Sequence, residues 1–195
     1  MLNNTQTALN KFSKGVVKQS RTRLTKGKKN VTRTLYNAID YDLTVSPNSF
    51  SLKFYTGEYG VFQDEGVKGK DPSKVSPNSK IRGQQAPKSR FKFGTGTSRG
   101  KWDEFVDKLE KWAKAKNLRF RDKDGRFKKG SYKSMAYVVA RNIYNRGLKP
   151  SGFFTKAFES QYKNLPKEVI KRFALDMKDL LRFTTQWKHY NLEVL

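Results

Sequence analysis

Two short runs near the start of the chain alternate between apolar and polar positions. In residues 41–45, and again in residues 50–55, apolar or aromatic side chains occupy every second position. A period of two is the spacing of a β-strand with one buried face. Residues 46–49, between the runs, read Ser-Pro-Asn-Ser, a composition typical of tight turns. The pattern predicts an antiparallel β-hairpin.

Other segments place apolar residues every three or four positions, which is the spacing of an amphipathic helix. The predicted helices span residues 5–24, 102–117, 131–146 and 166–187, and the last is the longest. A shorter helical turn is predicted within residues 57–66, ending at Gly66, because glycine commonly terminates helices.

Residues 67–100 break this periodicity and are rich in Gly, Pro, Ser and Lys. They predict a long basic loop that is functional or orders on assembly, with a short strand at 90–93 as one option. Residues 118–130 carry Asp-Gly between two Phe-bearing arms, which indicates a second hairpin. The predicted fold class is α+β. A small antiparallel β-sheet is packed by the N-terminal helix and the long C-terminal helix, and is joined by a helical and hairpin insertion.

The charge of the chain changes what function is expected. Its 195 residues include 42 Lys and Arg but only 17 Asp and Glu, a net charge of +25. Such a field attracts polyanions and opposes self-association unless it is neutralised, although a merely solubilising surface is the alternative. No acid occurs in residues 1–33. This segment is predicted to be a basic helix or arm that either stays solvated or contacts a polyanion or a neighbouring protein.

Two sets of residues are candidates for contacts. The basic residues predicted to touch DNA or a neighbouring protein are Lys11, Lys14, Lys18, Arg21, Lys26, Lys28, Lys29, Lys68, Lys70, Lys80, Arg82, Lys88 and Arg90. The aromatic residues predicted to form a subunit interface or a core anchor are Tyr59, Phe62, Phe153, Phe154 and Phe158. In the basic segments 90–93 and 118–129 the Phe residues are assigned to packing, so sequence-specific base readout is not predicted.

Cysteine is absent, which excludes disulfides and thiolate metal sites and predicts synthesis inside the cell. No apolar run approaches the roughly 20 residues that span a bilayer. The first residues also lack the apolar core of a signal peptide. The chain is predicted neither to span a membrane nor to be exported by a signal peptide.

Three motifs suggest chemistry but depart from its requirements. Residues 93–102 resemble a phosphate-binding loop, yet five residues separate its outer glycines and Trp102 follows the Lys, which favours a glycine-rich hinge. Asp122 and Asp124 suggest a calcium loop, but no Glu closes it. His189, the single histidine, lies in a polar aromatic tail, which does not favour a general-base role.

A magnesium-dependent nuclease is the remaining catalytic alternative, since carboxylates on neighbouring elements can hold the metal and a Lys can orient the water. Its residues are Asp42, Asp64, Glu65 and Lys68. The order of acid and Lys differs from that of such enzymes, and the acids are better explained as helix-end and turn residues that offset local positive charge. We therefore predict no enzyme activity, no cofactor and no metal.

Three short segments resemble the neck, or tail-completion, proteins of tailed bacteriophages. These are TLYNAI at 34–39 before the hairpin, YGVFQDEG at 59–66 after it, and GFFTKAF at 152–158 before the last helices. The resemblance implies a core of residues 34–66 and 150–195, with 1–33 as the basic N-terminal helix or arm. Residues 67–149 form an insertion, because the family needs far fewer residues between its second and third segments.

The resemblance also implies a function. Such proteins form a ring below the portal that joins head to tail around the DNA channel. The expectation is a structural virion protein assembled in the host cytoplasm, with copies of itself, portal or other neck proteins, and packaged duplex DNA as partners. A basic packaging protein that binds nucleic acid without sequence preference is the alternative, and the nuclease is a second one.

Overall fold

A computed structural model describes residues 2–27, 32–46, 49–75, 79–95, 101–122 and 124–192, with side chains through residue 182. The α+β prediction is confirmed, because helices are combined with two small antiparallel sheets in the described part. The helices are α1 (Asn3–Lys26), α2 (Thr34–Ala38), α3 (Gly60–Glu65), α4 (Trp102–Ala115), α5 (Tyr132–Arg146), α6 (Thr155–Tyr162) and α7 (Leu165–Leu192). The strands are β1 (Asp40–Ser46), β2 (Ser49–Tyr55), β3 (Val67–Lys68) and β4 (Gly147–Leu148), and Pro72–Lys74 is a turn of 3-10 helix.

The chain divides into two compact units, one made of residues 1–26, 34–57 and 153–195 and the other of residues 27–33 and 58–152. The first contains α1, α2, β1, β2, α6 and α7, and the second contains the remaining elements. No helix in the described ranges is long and apolar enough to cross a membrane. The prediction that 67–149 is an insertion into a family core stays a prediction.

The first unit is held by a small aromatic and aliphatic core. Val17 and Leu24 of α1, Ile39 and Phe153 are buried together. Leu35, Tyr41, Phe54 and Phe154 pack against them. α1 is thus a packed helix and not a solvated arm.

Phe153, Phe154 and Phe158 form core anchors within the chain. Phe153 is only 1% exposed. The ring of Phe54 lies 5.5 Å from that of Phe154 and 6.0 Å from that of Phe158, both edge to face, which is a favourable aromatic geometry. An exposed interface patch made of these residues was also expected. The prediction of an exposed interface residue is wrong for Phe153, because its side chain is buried in the core.

The first hairpin has the register that its hydrophobic pattern predicts. Tyr41 lies opposite Phe54, and Leu43 lies opposite Leu52. Because side chains alternate between faces, this register puts the apolar residues of both strands on the same side of the ribbon. The turn residues 47–48 lie outside the described residues.

In the second unit, described residues of the long loop are hydrogen-bonded to β3 and α5. The backbone N–H of Lys68 donates to the carbonyl of Phe91 at 2.8 Å, and that of Lys70 donates to the carbonyl of Tyr144 at 2.9 Å. Lys92 forms a parallel bridge with Lys68, so the expected strand at 90–93 is reduced to one bridge. Described residues of the loop are therefore anchored to the sheet and helix.

A glycine permits the close approach of β3 and β4. Gly147 has φ of 95°, a left-handed conformation that side chains disfavour. A Cβ there would collide with the carbonyl oxygen of Val67 across the ladder. Gly147 also ends α5, as the sequence predicts.

The second hairpin is confirmed in a minimal form, but one of its two Phe residues is not packed as expected. Arg121 and Phe127 form its single bridge in the described residues, and Asp122 Oδ1 accepts from the N–H of Arg126 at 2.8 Å. Phe127 is 56% exposed, so assigning it to a core was wrong. Helices α4 and α5 flank this hairpin in the chain. They pack against each other through a separate buried cluster of Val106, Ala136 and Ala140.

The N-terminus of α1 is capped by a carboxylate from α7. Asp176 Oδ1 accepts from the backbone N–H of Asn4 at 2.9 Å, and Oδ2 accepts from the backbone N–H and the hydroxyl of Thr5 at 2.9 and 2.7 Å. The first N–H groups of a helix lack partners within it and carry its positive dipole end. Because α1 has no acid of its own, a side chain 171 residues away from Thr5 supplies the cap.

We expect Asp176→Asn to destabilise the protein by about 1–3 kcal/mol, because a neutral amide accepts fewer of these hydrogen bonds. Burial raises the pKa of Asp176, but the hydrogen bonds from Thr5 and Asn4 outweigh it, so the folded-state pKa lies below the ordinary 3.8. The stabilisation is therefore present above the unfolded-state pKa and is lost as pH falls through the folded-state pKa.

Urea unfolding of both proteins at neutral pH and at decreasing acid pH measures this effect. The stability difference between wild type and Asp176→Asn should shrink below about pH 4. Asp179→Asn, an exposed carboxylate on the same helix, is the matched control and should change stability little. An equal loss of stability in both variants would contradict the cap.

Candidate nucleic-acid interface

One exposed face of α1 carries a row of lysines. Lys11, Lys14 and Lys18 are all exposed, and their spacing of three and four residues places them on the same side of the helix. The opposite side contains the buried residues Ala8, Phe12 and Val16 among others, so the helix cannot rotate without exposing its core face. The lysine row is therefore held toward solvent by the packing of the first unit.

An open groove of about 700 Å³ runs beside this row. α1 forms one wall, and residues of α2 and β1 form the other. The lining residues are Lys14, Val17, Lys18, Arg21, Thr22, Thr25, Lys26, Tyr36, Asp40 and Tyr41. Four of the predicted basic residues thus meet in one groove, and a single carboxylate, Asp40, lines it with them.

Arg21 in this groove is a structural residue. Its Nε donates to the carbonyl of Tyr36 at 3.1 Å, its Nη2 donates to the carbonyl of Ile39 at 2.9 Å, and the guanidinium lies 5.3 Å from the centre of the Tyr36 ring. A planar fork can satisfy two carbonyls at once. Arg21 thereby fastens α2 and the start of β1 to α1, a role that the sequence-based assignment to DNA contact missed.

The ammonium groups of Lys14 and Lys18 are the main cationic hydrogen-bond donors in the groove. The hydroxyl of Thr22 donates to the carbonyl of Lys18 at 2.8 Å, which turns it toward its own helix. Lys14 and Lys18, by contrast, extend from an acid-free helix. Lysine is a compact, rotatable charge without the fork that reads base edges, so the arrangement suits phosphate oxygens rather than a particular sequence.

The predicted basic residues of the second unit are placed less uniformly. Arg90 forms a two-point ion pair with Glu65, Nε to Oε2 at 3.1 Å and Nη2 to Oε1 at 3.0 Å. Lys68 is half-buried, whereas Lys70, Lys80, Arg82 and Lys88 are exposed. Lys28 and Lys29 lie outside the described residues. Part of the predicted basic surface is therefore neutralised within the chain.

The two remaining aromatic candidates lie near the surface of the second unit. Tyr59 is 66% exposed, with the Lys108 ammonium 5.9 Å from its ring centre. Phe62 is 38% exposed, and its ring centre lies 4.6 Å from that of Phe91. Neither residue is a buried anchor, and their role at a subunit interface stays a prediction.

The three carboxylates of the nuclease alternative have different surroundings, and Asp42 is exposed on β1. Glu65 is engaged by Arg90, and Asp64 is buried on α3. Among the described residues, no group of three or more His, Cys, Asp and Glu side chains is arranged to hold a metal ion. Residues 96–100 of the glycine-rich segment and the side chain of His189 lie outside the described part.

Sequence reasoning also overlooked the exposure of the second hairpin. The guanidinium carbons of Arg121 and Arg119 lie 4.3 and 5.8 Å from the centre of the exposed Phe127 ring. Arg119 is further fixed by its Nε, which donates to the hydroxyl of Tyr132 at 3.0 Å. In the sequence, this exposure was indicated by the Arg and Lys residues that surround Phe127. The alternating pattern of the segment suggested instead that the ring is packed.

Comparisons of the chain with protein-family models, with curated proteins and with solved structures find no match. The resemblance to phage neck proteins therefore stays a prediction.

We expect Arg21→Gln to lose about 1–3 kcal/mol of stability, because two carbonyls lose charge-assisted donors. Arg23→Gln removes the same charge two residues later, from an exposed position, and should stay within about 0.5 kcal/mol of wild type. Urea unfolding of the three proteins measures the difference. If both variants lose the same stability, Arg21 does not act as a clamp.

Proposed function

We propose that this chain is a structural, non-catalytic subunit of a bacteriophage neck. It would belong to a ring in the virion that joins portal to tail around the DNA channel, assembled in the host cytoplasm. The observation that carries the contact with DNA is the acid-free lysine row of α1, held toward solvent beside an open basic groove. The resemblance of residues 34–39, 59–66 and 152–158 to neck proteins supports the place in the virion.

The geometry suits contact with passing duplex DNA. Lys11 and Lys18 are separated by seven residues of helix, which corresponds to about 10 Å along the axis. Mobile ammonium groups over this length can follow phosphates without a fixed register, because each contact releases counterions rather than recognising a base. A channel lining needs this property, since DNA has to slide past it.

The lysine row predicts how binding depends on salt. Replacing Lys11, Lys14 and Lys18 together by Gln should reduce the slope of log K against log salt by about 2.7, because each phosphate contact contributes about 0.9. Fluorescence anisotropy with a labelled duplex of mixed sequence over a range of salt concentrations measures the slope.

The matched control replaces Lys111, Lys116 and Lys133, which are exposed and were not assigned to DNA contact, by Gln. This variant has the same net charge as the first one. If it lowers the slope equally, DNA responds to the total charge of the chain and the α1 face is not an interface.

A packaging protein that coats nucleic acid is the second candidate, and the net charge of +25 favours it, because such a field opposes self-association. The two candidates differ in assembly. We expect light scattering to detect a ring-sized oligomer in the absence of DNA. The salt concentration has to be high enough to screen the repulsion between subunits, which corresponds to a Debye length of about 8 Å or less. A chain that stays monomeric there, and coats duplex DNA at low salt, would be the packaging protein instead.

No observation in the described residues favours the nuclease, since Glu65 is held by Arg90. Incubation of purified protein with supercoiled DNA and magnesium tests that alternative directly. Nicking that is lost in Asp64→Ala would overturn the structural role.

A further inference from the structure

Helix α7 exposes a continuous apolar stripe. Ile170 is 70% exposed, Phe173 45% and Met177 37%. Leu180 and Leu181 extend the stripe and are 51% and 61% exposed. Isolated exposed apolar residues are ordinary, but a contiguous row on one helix marks an interaction surface.

The stripe is separate from the face by which α7 is anchored. Asp176 is buried against the N-terminus of α1, and Val169 and Arg172 on the same side are half-buried. At 3.6 residues per turn, the stripe lies roughly a quarter-turn around the helix from Asp176. Since α7 is already docked onto α1 by another face, the stripe is not needed to hold the helix in place.

The spacing of the stripe is that of a helix-pairing seam. Residues 170, 173, 177 and 180 are separated by three, four and three positions, which is the a and d pattern of a heptad. Over residues 170–181 the seam is about 16 Å long, or three turns. A partner helix of three to four turns would cover it.

The charges beside the stripe select the kind of partner. Lys167, Lys171 and Lys178 are exposed and lie on the side of the stripe away from α1. The ion pair between Arg172 and Glu168 lies on the other side of the helix. Flanking charges of a helix seam set partner choice, so this rim favours a helix with acidic flanks.

The same charges disfavour a second copy of the chain. An antiparallel pair of α7 helices along the stripe would bring the lysine rims of both together, and any pairing of two copies works against the net charge of +25. Like charges placed next to an apolar seam oppose association. Charge complementarity therefore points to a different protein.

We propose that the α7 stripe is a docking site for an amphipathic helix of another protein, with an apolar seam flanked by Asp and Glu. The helix packs Ile170, Phe173 and Met177 into its own apolar positions, while its acids lie beside Lys167, Lys171 and Lys178. This is helix-against-helix recognition through a small number of apolar anchors. It does not depend on DNA binding, because it uses none of the residues of the α1 row.

Three labelled peptides test the proposal with the full-length protein. The first is a four-turn helix with Leu at the seam positions and Glu at the flanking positions. The second replaces each Glu by Lys, and the third scrambles the first, so that charge is kept but the seam is destroyed. Anisotropy titrations are run at about 0.15 M salt or higher, where non-specific attraction to a basic protein is screened. We expect saturable binding of the first peptide only.

Two protein variants locate the binding. Ile170→Asn should weaken binding of the Glu-flanked peptide about tenfold or more, because it removes a central apolar anchor. Ile81→Asn is the matched control, since Ile81 is also exposed, at 46%, and lies outside α7; it should leave binding unchanged. Both positions are exposed, so folding should be preserved, and far-ultraviolet circular dichroism checks this.

Reversing the rim tests the acidic flank. A triple variant with Lys167→Glu, Lys171→Glu and Lys178→Glu should lose the Glu-flanked peptide and gain the Lys-flanked one. The proposal is overturned if the scrambled or Lys-flanked peptide binds wild type as well as the first does, or if no peptide binds. It is also overturned if sedimentation without peptide shows a dimer that Ile170→Asn dissociates, because the occupant is then a second copy.

Discussion

The contact between Asp176 and the start of α1 is the constraint on which the first unit depends. α1 carries six cationic side chains and no acid, so it begins without the local carboxylate that usually offsets a helix N-terminus. α7 supplies that carboxylate, and the hydrogen bonds to Asn4 and Thr5 fix both the position and the rotation of α1. The apolar residues of α1 decide which side is buried, and the cap holds the helix in that rotation. The lysine row faces solvent as a direct consequence.

Some of the cationic side chains bind acceptors within the chain, and others are exposed to solvent. Arg21 and Arg90 are engaged within the chain, Arg21 by two carbonyls and Arg90 by Glu65. Arginine suits such sites because its planar fork meets two acceptors at once, whereas lysine stays hydrated on a long stem. Lys11, Lys14 and Lys18 remain exposed. At these two sites an arginine holds the fold, whereas the lysine row of α1 is free of such a role and can meet a polyanion.

Helix α7 combines two surfaces with different physical requirements. Its α1-facing side is polar and specific, with a buried carboxylate whose hydrogen bonds leave little tolerance for rotation. Its outer side is apolar and exposed at Ile170 and Phe173, which is costly in water unless a partner covers it. A single helix can thus contribute one face to the core and leave another face exposed to solvent.

Local patterning by itself determined the identity of most elements. The hairpin at 40–55, the helices α1, α4, α5 and α7, and the end of α5 at Gly147 follow from residue periodicity and from the conformational freedom of glycine, which act over a few residues. The acid-free character of α1 is equally a property of the sequence. What only the tertiary structure decided were contacts between residues far apart in the chain. Asp176 reaches α1, Arg21 clamps α2, Phe153 enters the core, and Phe127 does not. Periodicity shows which residues share a face, but it does not say what packs against that face. Burial, capping and charge pairing depend on which element packs against that face.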